Sequence, residues 1–302
     1  SMEWYTRAVA AADGGASLKA AEQLVNVRAR YAWEQVETLV AAAWPAAPSN
    51  ESPALRTNAR RGDTQPPPLL EERAAARQQR AAARVLAKTV RASEQEVQKS
   101  LSLLRTLLDI EPTVERLNLE GSTHKRAALL ALTAKRDAFR QHIDQMKAAY
   151  EQARDLGLKS GKDAHYGAGN CLLADLVQSI QAPGPQQLKS GLVRILESAT
   201  EKKDADFWTA VAGIELSQYK AVAKRRLAND AKALHLRFRS LHNRVSARRA
   251  WASVYDSTYL LLRSYEQTLP APAAGKVRRA DRERQAIAEL LTQLRSYARP
   301  PV

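Results

Sequence analysis

One histidine lies close to the only cysteine of the chain, in the segment HYGAGNCLLAD from His165 to Asp175. A histidine beside a cysteine is the pairing that activates a thiol for nucleophilic attack, so this segment is the first candidate for catalysis. Six residues along a helix correspond to about 600° of rotation and about 9 Å of rise, which places the two side chains on different faces. We therefore expect Cys171 to be a buried structural residue, and an enzyme using Cys171 is the less favoured hypothesis.

The other titratable residues do not form a recognisable site either. The remaining histidines are His124, His142, His235 and His242. None of them lies in a glycine-rich loop of the kind that presents catalytic groups. Dispersed histidines and one cysteine lack the spacing of zinc ligands, so no metal is expected. No glycine loop that could cradle a phosphate is found, so the sequence predicts no cofactor.

The composition favours an all-α fold. The 302 residues include only 12 Gly, 13 Pro and 3 Phe, and they are dominated by alanine, leucine, arginine, glutamate, glutamine and lysine. These are strong helix formers with few helix breakers. No apolar window of about 18 residues exists, which predicts no membrane partner. A single cysteine fits a reducing cytoplasm, and we expect a cytoplasmic protein.

Turn residues divide the chain into three parts. Residues 1–44 predict an N-terminal helical unit, with Ser17 as the N-cap of a helix to about Trp44. Residues 45–68 are rich in proline and predict a long loop. Residues 69–302 predict a helical array of antiparallel pairs. Within it, Pro112 and the Gly121–Ser122 pair are expected to separate helices, and Asp204 or Asp206 to cap one.

A pattern of aromatic and small residues predicts how these helices pack. Small residues let two helices approach while aromatic residues fill the gaps around them. The predicted packing residues are Tyr5, Ala8, Tyr150, Ala153, Tyr166, Gly169, Leu172 and Trp208.

This pattern resembles the tetratricopeptide repeat. The segments that carry the resemblance are EWYTRAVAAADGGASLKAAEQLVNVRAR, ERLNLEGSTHKRAALL, AAYEQARDLGLKSGKDAHYGAGNCLLADL, ADFWTAVAGIELSQY and RRAWASVYDSTYLLLRSYE. In this order they are similar to the degenerate tetratricopeptide region of bacterial proteins that accompanies caspase-like CHAT peptidase domains. They are also similar to the TRAFs-binding region of stress-activated kinase kinase kinases. The resemblance implies a right-handed solenoid of helix pairs, with protein recognition on its concave face and no catalytic residues.

Two groups of basic residues are candidates for partner binding. The chain carries a formal net charge of +15, which attracts anionic partners. The denser group is Lys220, Lys224, Arg225, Arg226, Lys232, Arg237, Arg239, Arg244, Arg248 and Arg249. The second group forms one stripe at helical spacing and comprises Arg73, Arg77, Arg80, Arg84, Lys88 and Arg91.

The chemistry of these groups leaves two classes of partner open. The first hypothesis is a scaffold that binds a protein partner or another domain of its own polypeptide through the denser group. The alternative is a nucleic-acid-binding protein, in which Phe238 and the two neighbouring histidines would stack on bases.

Ser1 before Met2 is typical of tag cleavage, and we expect the natural protein to be longer.

Overall fold

The structure of the chain, a computed structural model, describes residues 2–10, 17–42, 68–161, 164–201, 206–271 and 279–299. These residues form eleven α-helices and no β-strand, which confirms the predicted all-α class. The helices are α1 (Met2–Ala10), α2 (Leu18–Ala42), α3 (Pro68–Ile110), α4 (Val114–Ala134), α5 (Ala138–Lys159), α6 (His165–Ser179), α7 (Ser190–Thr200), α8 (Phe207–Ala223), α9 (Leu227–Arg244), α10 (Arg248–Glu266) and α11 (Arg279–Ala298). The predicted loop at 45–68 lies outside the described residues except for Pro68, which begins α3.

Two helix starts follow the predicted cap residues. The Ser17 hydroxyl accepts a hydrogen bond from the Ala20 N–H at 3.2 Å, at the start of α2. The Asp206 carboxylate accepts one from the Thr209 N–H at 2.8 Å and caps α8. These side chains satisfy backbone donors that have no partner within their helix. The expected break at Gly121–Ser122 is wrong, because α4 continues through both residues.

Gly121 serves packing within α4. A Cβ atom at Gly121 would lie 2.6 Å from the ring of Tyr150, a separation that real Cβ atoms do not adopt. The ring of Tyr150 is completely buried against this gap. A Cβ atom at Gly167 would meet the backbone of the same residue, at 2.9 Å from the Tyr150 carbonyl oxygen. Gly121 and Gly167 therefore allow α4 and α6 to approach α5 closely, whereas a Cβ at Gly169 would make an ordinary 3.6 Å contact with Leu196.

Consecutive helices pack as neighbours, and α10 covers one side of the stack. The helices from α1 to α8 each contact the next one in the chain, and α9 also contacts α11. Helix α10 contacts α4, α6 and α8 as well as α11, and its residues from Trp251 to Tyr265 are mostly buried. Helix α10 of the same chain therefore covers α4, α6 and α8 on one side.

Buried ion pairs join α2 to the C-terminal helices. The Glu37 carboxylate, 1% exposed, accepts hydrogen bonds from the Tyr255 hydroxyl at 2.7 Å and from Arg295 Nε at 2.9 Å. Arg299 lies 2.5 Å from the same carboxylate. Asp256 is completely buried and accepts a hydrogen bond from the indole N–H of Trp33 at 2.9 Å. Removing one member of such a network leaves a buried charge without its partner, which costs about 3–5 kcal/mol.

We expect Gly167→Ala to lower the free energy of unfolding by about 1–3 kcal/mol, because the added methyl group meets the backbone of α5. Gly169→Ala is the matched control, on the same helix and with the same chemical change. Here we expect no loss and a gain of up to about 1 kcal/mol, since alanine favours helix over glycine. Denaturant unfolding followed by circular dichroism measures both. Equal effects of the two substitutions would contradict the packing described for Tyr150.

Candidate interaction surface

Arg225 is half-buried, and its guanidinium is hydrogen-bonded within the chain. It lies just after α8 in the left-handed backbone region, with a φ of 53°. Its guanidinium donates hydrogen bonds to the carbonyl oxygens of Ile180, Ala182 and Gly184, at 2.9, 2.8 and 2.8 Å. A further N–H reaches the Thr268 hydroxyl at 3.2 Å. These bonds fasten the turn after α6 to the ends of α8 and α10, so the guanidinium of Arg225, a predicted partner-binding residue, is engaged within the chain.

The other nine cations of this group divide into paired and unpaired residues. The paired ones are Lys220 with Glu197 at 2.8 Å, Arg226 with Asp230 at 3.3 Å, and Arg237 with the Ser217 hydroxyl at 2.6 Å. Six are exposed and have no ion pair among the described residues: Lys224, Lys232, Arg239, Arg244, Arg248 and Arg249. These six keep their charge available to an external anion.

The outer side of α9 carries part of this free charge around an exposed leucine. Helix α9 packs against α8 and α11 with its buried side. Lys232, Leu236, Arg239 and Asn243 follow at steps of four, three and four residues on the opposite side. Leu236 is 55% exposed, although a leucine gains by leaving water. We call these four residues, with Arg244 at the end of the helix, the α9 face.

The aromatic residues of the basic group face inward. Phe238 is completely buried. The His242 ring stacks on Tyr297, with centroids 3.8 Å apart and planes 10° apart. His235 is half-buried, and its Nε2 lies 3.8 Å from the Glu289 carboxylate. The expectation that Phe238 and the histidines stack on bases is therefore wrong for Phe238 and His242, because both rings are occupied inside the protein.

The arginine stripe lies along the first half of α3. All six of its residues, Arg73, Arg77, Arg80, Arg84, Lys88 and Arg91, are exposed. None of the six forms an ion pair with a described residue. From residue 73 to residue 89 this helix is exposed almost all round, and Val90 is the first buried residue after this stretch. The stripe extends over about 27 Å at 1.5 Å per residue.

The predicted packing residues occupy two kinds of position. Tyr150, Ala153, Gly169 and Leu172 are buried. Tyr5, Ala8, Tyr166 and Trp208 are half-buried. The Tyr166 ring lies between those of Tyr150 and Trp208, with both pairs of ring centroids 5.9 Å apart in edge-to-face geometry. These aromatic contacts link α5, α6 and α8.

Cys171 lies on the same continuous helix as His165 and is completely buried. Its thiol contacts the Lys147 carbonyl oxygen at 4.0 Å. Burial raises the pKa of the thiol to about 12, because the charged thiolate loses its hydration. A nucleophilic cysteine needs the opposite shift. This environment is that of a structural cysteine.

His124 and His142 form a pair that sequence spacing did not reveal. Their Nδ1 atoms are 3.4 Å apart, across α4 and α5. Burial, followed by the His142 ring and Arg105, lowers the pKa of His124 to about 4. Burial also lowers the pKa of His142. Both rings are therefore neutral at pH 7, and no group of three or more possible metal ligands occurs in the described part of the chain.

A buried lysine lies beside a small polar cavity. The Lys125 ammonium is 1% exposed and donates to the Ser257 hydroxyl at 2.8 Å and to the Asn170 side-chain oxygen at 3.2 Å. A serine next to a lysine has the composition of a nucleophile and its base. The adjoining cavity, which Glu215 also lines, measures about 20 Å³ and has room for about one water molecule. It is too small for a substrate, so the pair is a packing contact.

Comparisons with protein-family models, with curated proteins and with solved structures find no match to this chain. In the ranges that the structure describes, no helix combines the length and the apolar character needed to cross a membrane.

We expect the Cys171 thiol to resist alkylation by iodoacetamide at pH 8 in the folded protein, because it is buried and protonated. Unfolding in guanidinium chloride should make it react at the rate of a free cysteine. Mass spectrometry of the alkylated protein measures the modified fraction. Rapid, complete modification of the folded protein would contradict the structural role and revive the nucleophile hypothesis.

Burial of the Glu215 carboxyl predicts that the free energy of unfolding depends on pH. Burial raises the pKa of this carboxyl from 4.5 to about 7, partly offset by the charge of Lys125. Between these two values the folded state holds a proton that the unfolded state releases, so this residue lowers stability as the pH rises. We expect Glu215→Gln to raise the unfolding midpoint more at pH 8 than at pH 5. Exposed Glu111→Gln is the control, and an equal gain at both pH values for Glu215→Gln would contradict the shift.

Proposed function

We propose that this chain is a non-catalytic scaffold of helical-repeat type that binds an acidic protein segment on the α9 face. The segment belongs to a separate partner or to another domain of the same polypeptide. The observation that carries the proposal is the exposure of Leu236 between Lys232 and Arg239, two cations with no ion pair among the described residues.

An apolar side chain between two cations fits a protein partner better than a nucleic acid. Protein interfaces combine a buried apolar centre with a polar rim, and a few anchors supply most of the affinity. Leu236 would be the anchor, and the cations around it would pair with carboxylates and speed association. Proteins that bind single-stranded nucleic acid use cations together with exposed aromatic rings on which bases stack. Phe238 is buried and cannot serve in this way.

The tetratricopeptide resemblance extends this proposal to a biological setting. Edge-to-face contacts of Tyr150, Tyr166 and Trp208 between neighbouring helices support a repeat-like stack. Because α10 covers the layer of α4, α6 and α8, we place recognition on the outer α9 face and not in the concavity that such repeats commonly use. The resemblance to CHAT-associated regions suggests regulation of a caspase-like peptidase in the bacterial cytoplasm.

Nucleic-acid binding is the second candidate function, and the arginine stripe of α3 favours it. Six exposed cations on one side of a helix, with no acidic residue between Glu72 and Glu94, would follow a row of phosphates. Such binding weakens steeply with salt, by roughly 0.7–0.9 logarithmic units per phosphate neutralised for each tenfold rise in salt.

A labelled acidic peptide with a leucine stripe at helical spacing tests the α9 face. We expect Leu236→Gln to weaken binding about tenfold, the equivalent of about 1.4 kcal/mol for one buried aliphatic group. The matched control is Leu158→Gln on α5, since Leu158 is 56% exposed and lies outside the α9 face. Fluorescence anisotropy at a fixed salt concentration measures both affinities.

Two further comparisons separate the candidate functions. A peptide with serine in place of leucine should bind the original protein and Leu236→Gln equally, because the apolar contact is then lost in both. Replacing Arg77 and Arg84 by glutamine should weaken binding of a DNA oligonucleotide and leave the leucine peptide unaffected. If Leu236→Gln binds the leucine peptide as tightly as the original protein does, the α9 proposal is wrong.

A further inference from the structure

A basic groove opens between α2, the start of α10 and the end of α11. Its volume is about 300 Å³, at the lower end of the range for small-molecule sites. The polar residues that line it are Gln23, Asn26, Arg30, Tyr31, Glu34, Arg248 and Arg249. We call it the arginine groove. It lies apart from the α9 face, and five of these seven residues come from α2, where neither basic group was predicted.

Arg30 is the unusual residue of the arginine groove. It is half-buried and has no hydrogen bond or ion pair among the described residues. Burial lowers the pKa of Arg30, and the charges of Arg126 and Arg249 lower it further, against opposing effects of Asp256 and Glu34. Half-buried arginines in proteins usually have their N–H groups paired. Here Arg30, whose guanidinium carries five N–H donors, lines a groove that is open to solvent.

The acidic residues near Arg30 are already engaged. Asp256 accepts hydrogen bonds from Trp33 at 2.9 Å and from Arg299 at 3.5 Å. Glu34, the single carboxylate of the lining, lies 3.9 Å from the Arg299 guanidinium. Three arginines thus face one carboxylate in the arginine groove, which leaves two positive charges in excess. The remaining polar residues, Gln23, Asn26 and Tyr31, add neutral hydrogen-bond donors.

We propose that the arginine groove binds a phosphoryl group, with Arg30 at its inner end and Arg248 and Arg249 at its mouth. A phosphoryl group carries close to two negative charges and three acceptor oxygens, which match the excess charge and the donors of the lining. Arginine forks bind such oxygens in pairs. A carboxylate, with one charge and two oxygens, would leave part of the lining unsatisfied. This proposal does not depend on the α9 face.

Inorganic phosphate is the first ligand to test, at constant ionic strength. We expect phosphate to raise the unfolding midpoint of the full chain in a saturable way, because a ligand of the folded state stabilises it. Arg30→Gln should weaken the fitted phosphate affinity at least tenfold. Without phosphate, the variant should unfold no more easily than the original protein, because Arg30 has no ion pair to lose. A circular dichroism spectrum confirms that it remains folded.

Arg239→Gln is the matched control, since it removes the same charge from the α9 face. It should keep the phosphate affinity and lose affinity for the leucine peptide, whereas Arg30→Gln should show the reverse pattern. The two proposals therefore fail separately. If phosphate stabilises Arg30→Gln and the original protein equally, or if acetate stabilises the original protein as well as phosphate does, the phosphoryl site is wrong.

Two larger ligands identify the source of the phosphoryl group. O-phosphoserine represents a phosphorylated side chain, and a nucleoside monophosphate represents a small metabolite. The ligand that binds more tightly than inorganic phosphate, and whose binding weakens in Arg30→Gln, identifies the source of the phosphoryl group. Tighter binding that persists in Arg30→Gln would show contacts elsewhere and would overturn the assignment to the arginine groove.

Discussion

Two buried carboxylates, Glu37 of α2 and Asp256 of α10, hold distant parts of the chain together. The bond from Tyr255 to Glu37 joins residues 218 apart in sequence, and that from Arg295 to Glu37 joins residues 258 apart. A buried charge that loses its partner costs several kcal/mol, so these ion pairs favour one arrangement of the helices that contribute to them. The network links α2 to α10 and to the end of α11. The arginine groove lies at that same junction.

Residue composition was enough to predict the fold class, and side-chain caps located the starts of α2 and α8. Composition did not predict the packing between distant helices. Gly121 reads as a turn residue in the sequence, and only the ring of Tyr150 explains why it lies inside a helix. Gly167 likewise resembles Gly169 until the carbonyl oxygen of Tyr150 is placed beside it. In both cases the requirement comes from residues far along the chain, which periodicity does not register.

The clustering of basic residues in the sequence does not tell which cations form ion pairs or hydrogen bonds within the chain. Arg225 contributes to the same cluster as Arg239, yet its donors are bound to carbonyl groups of the turn after α6. Arg30 belongs to neither basic group in the sequence, because a single arginine in a mixed helix forms no pattern. The structure thus separates two uses of positive charge. Arginines bound to carbonyls and carboxylates fasten the helices, whereas others, such as Arg239, have no ion pair among the described residues.

The placement of α10 has a consequence for how this chain unfolds. In an open repeat array each unit contacts only its neighbours, so stability is a sum of local terms and the ends fray independently. Here one helix contacts α4, α6, α8 and α11, and buried charges connect α2 to the same region. Loss of α10 would therefore remove contacts from α4, α6, α8 and α11 together. The described helices should therefore behave as one cooperative unit, closer to a globular domain than to a one-dimensional array.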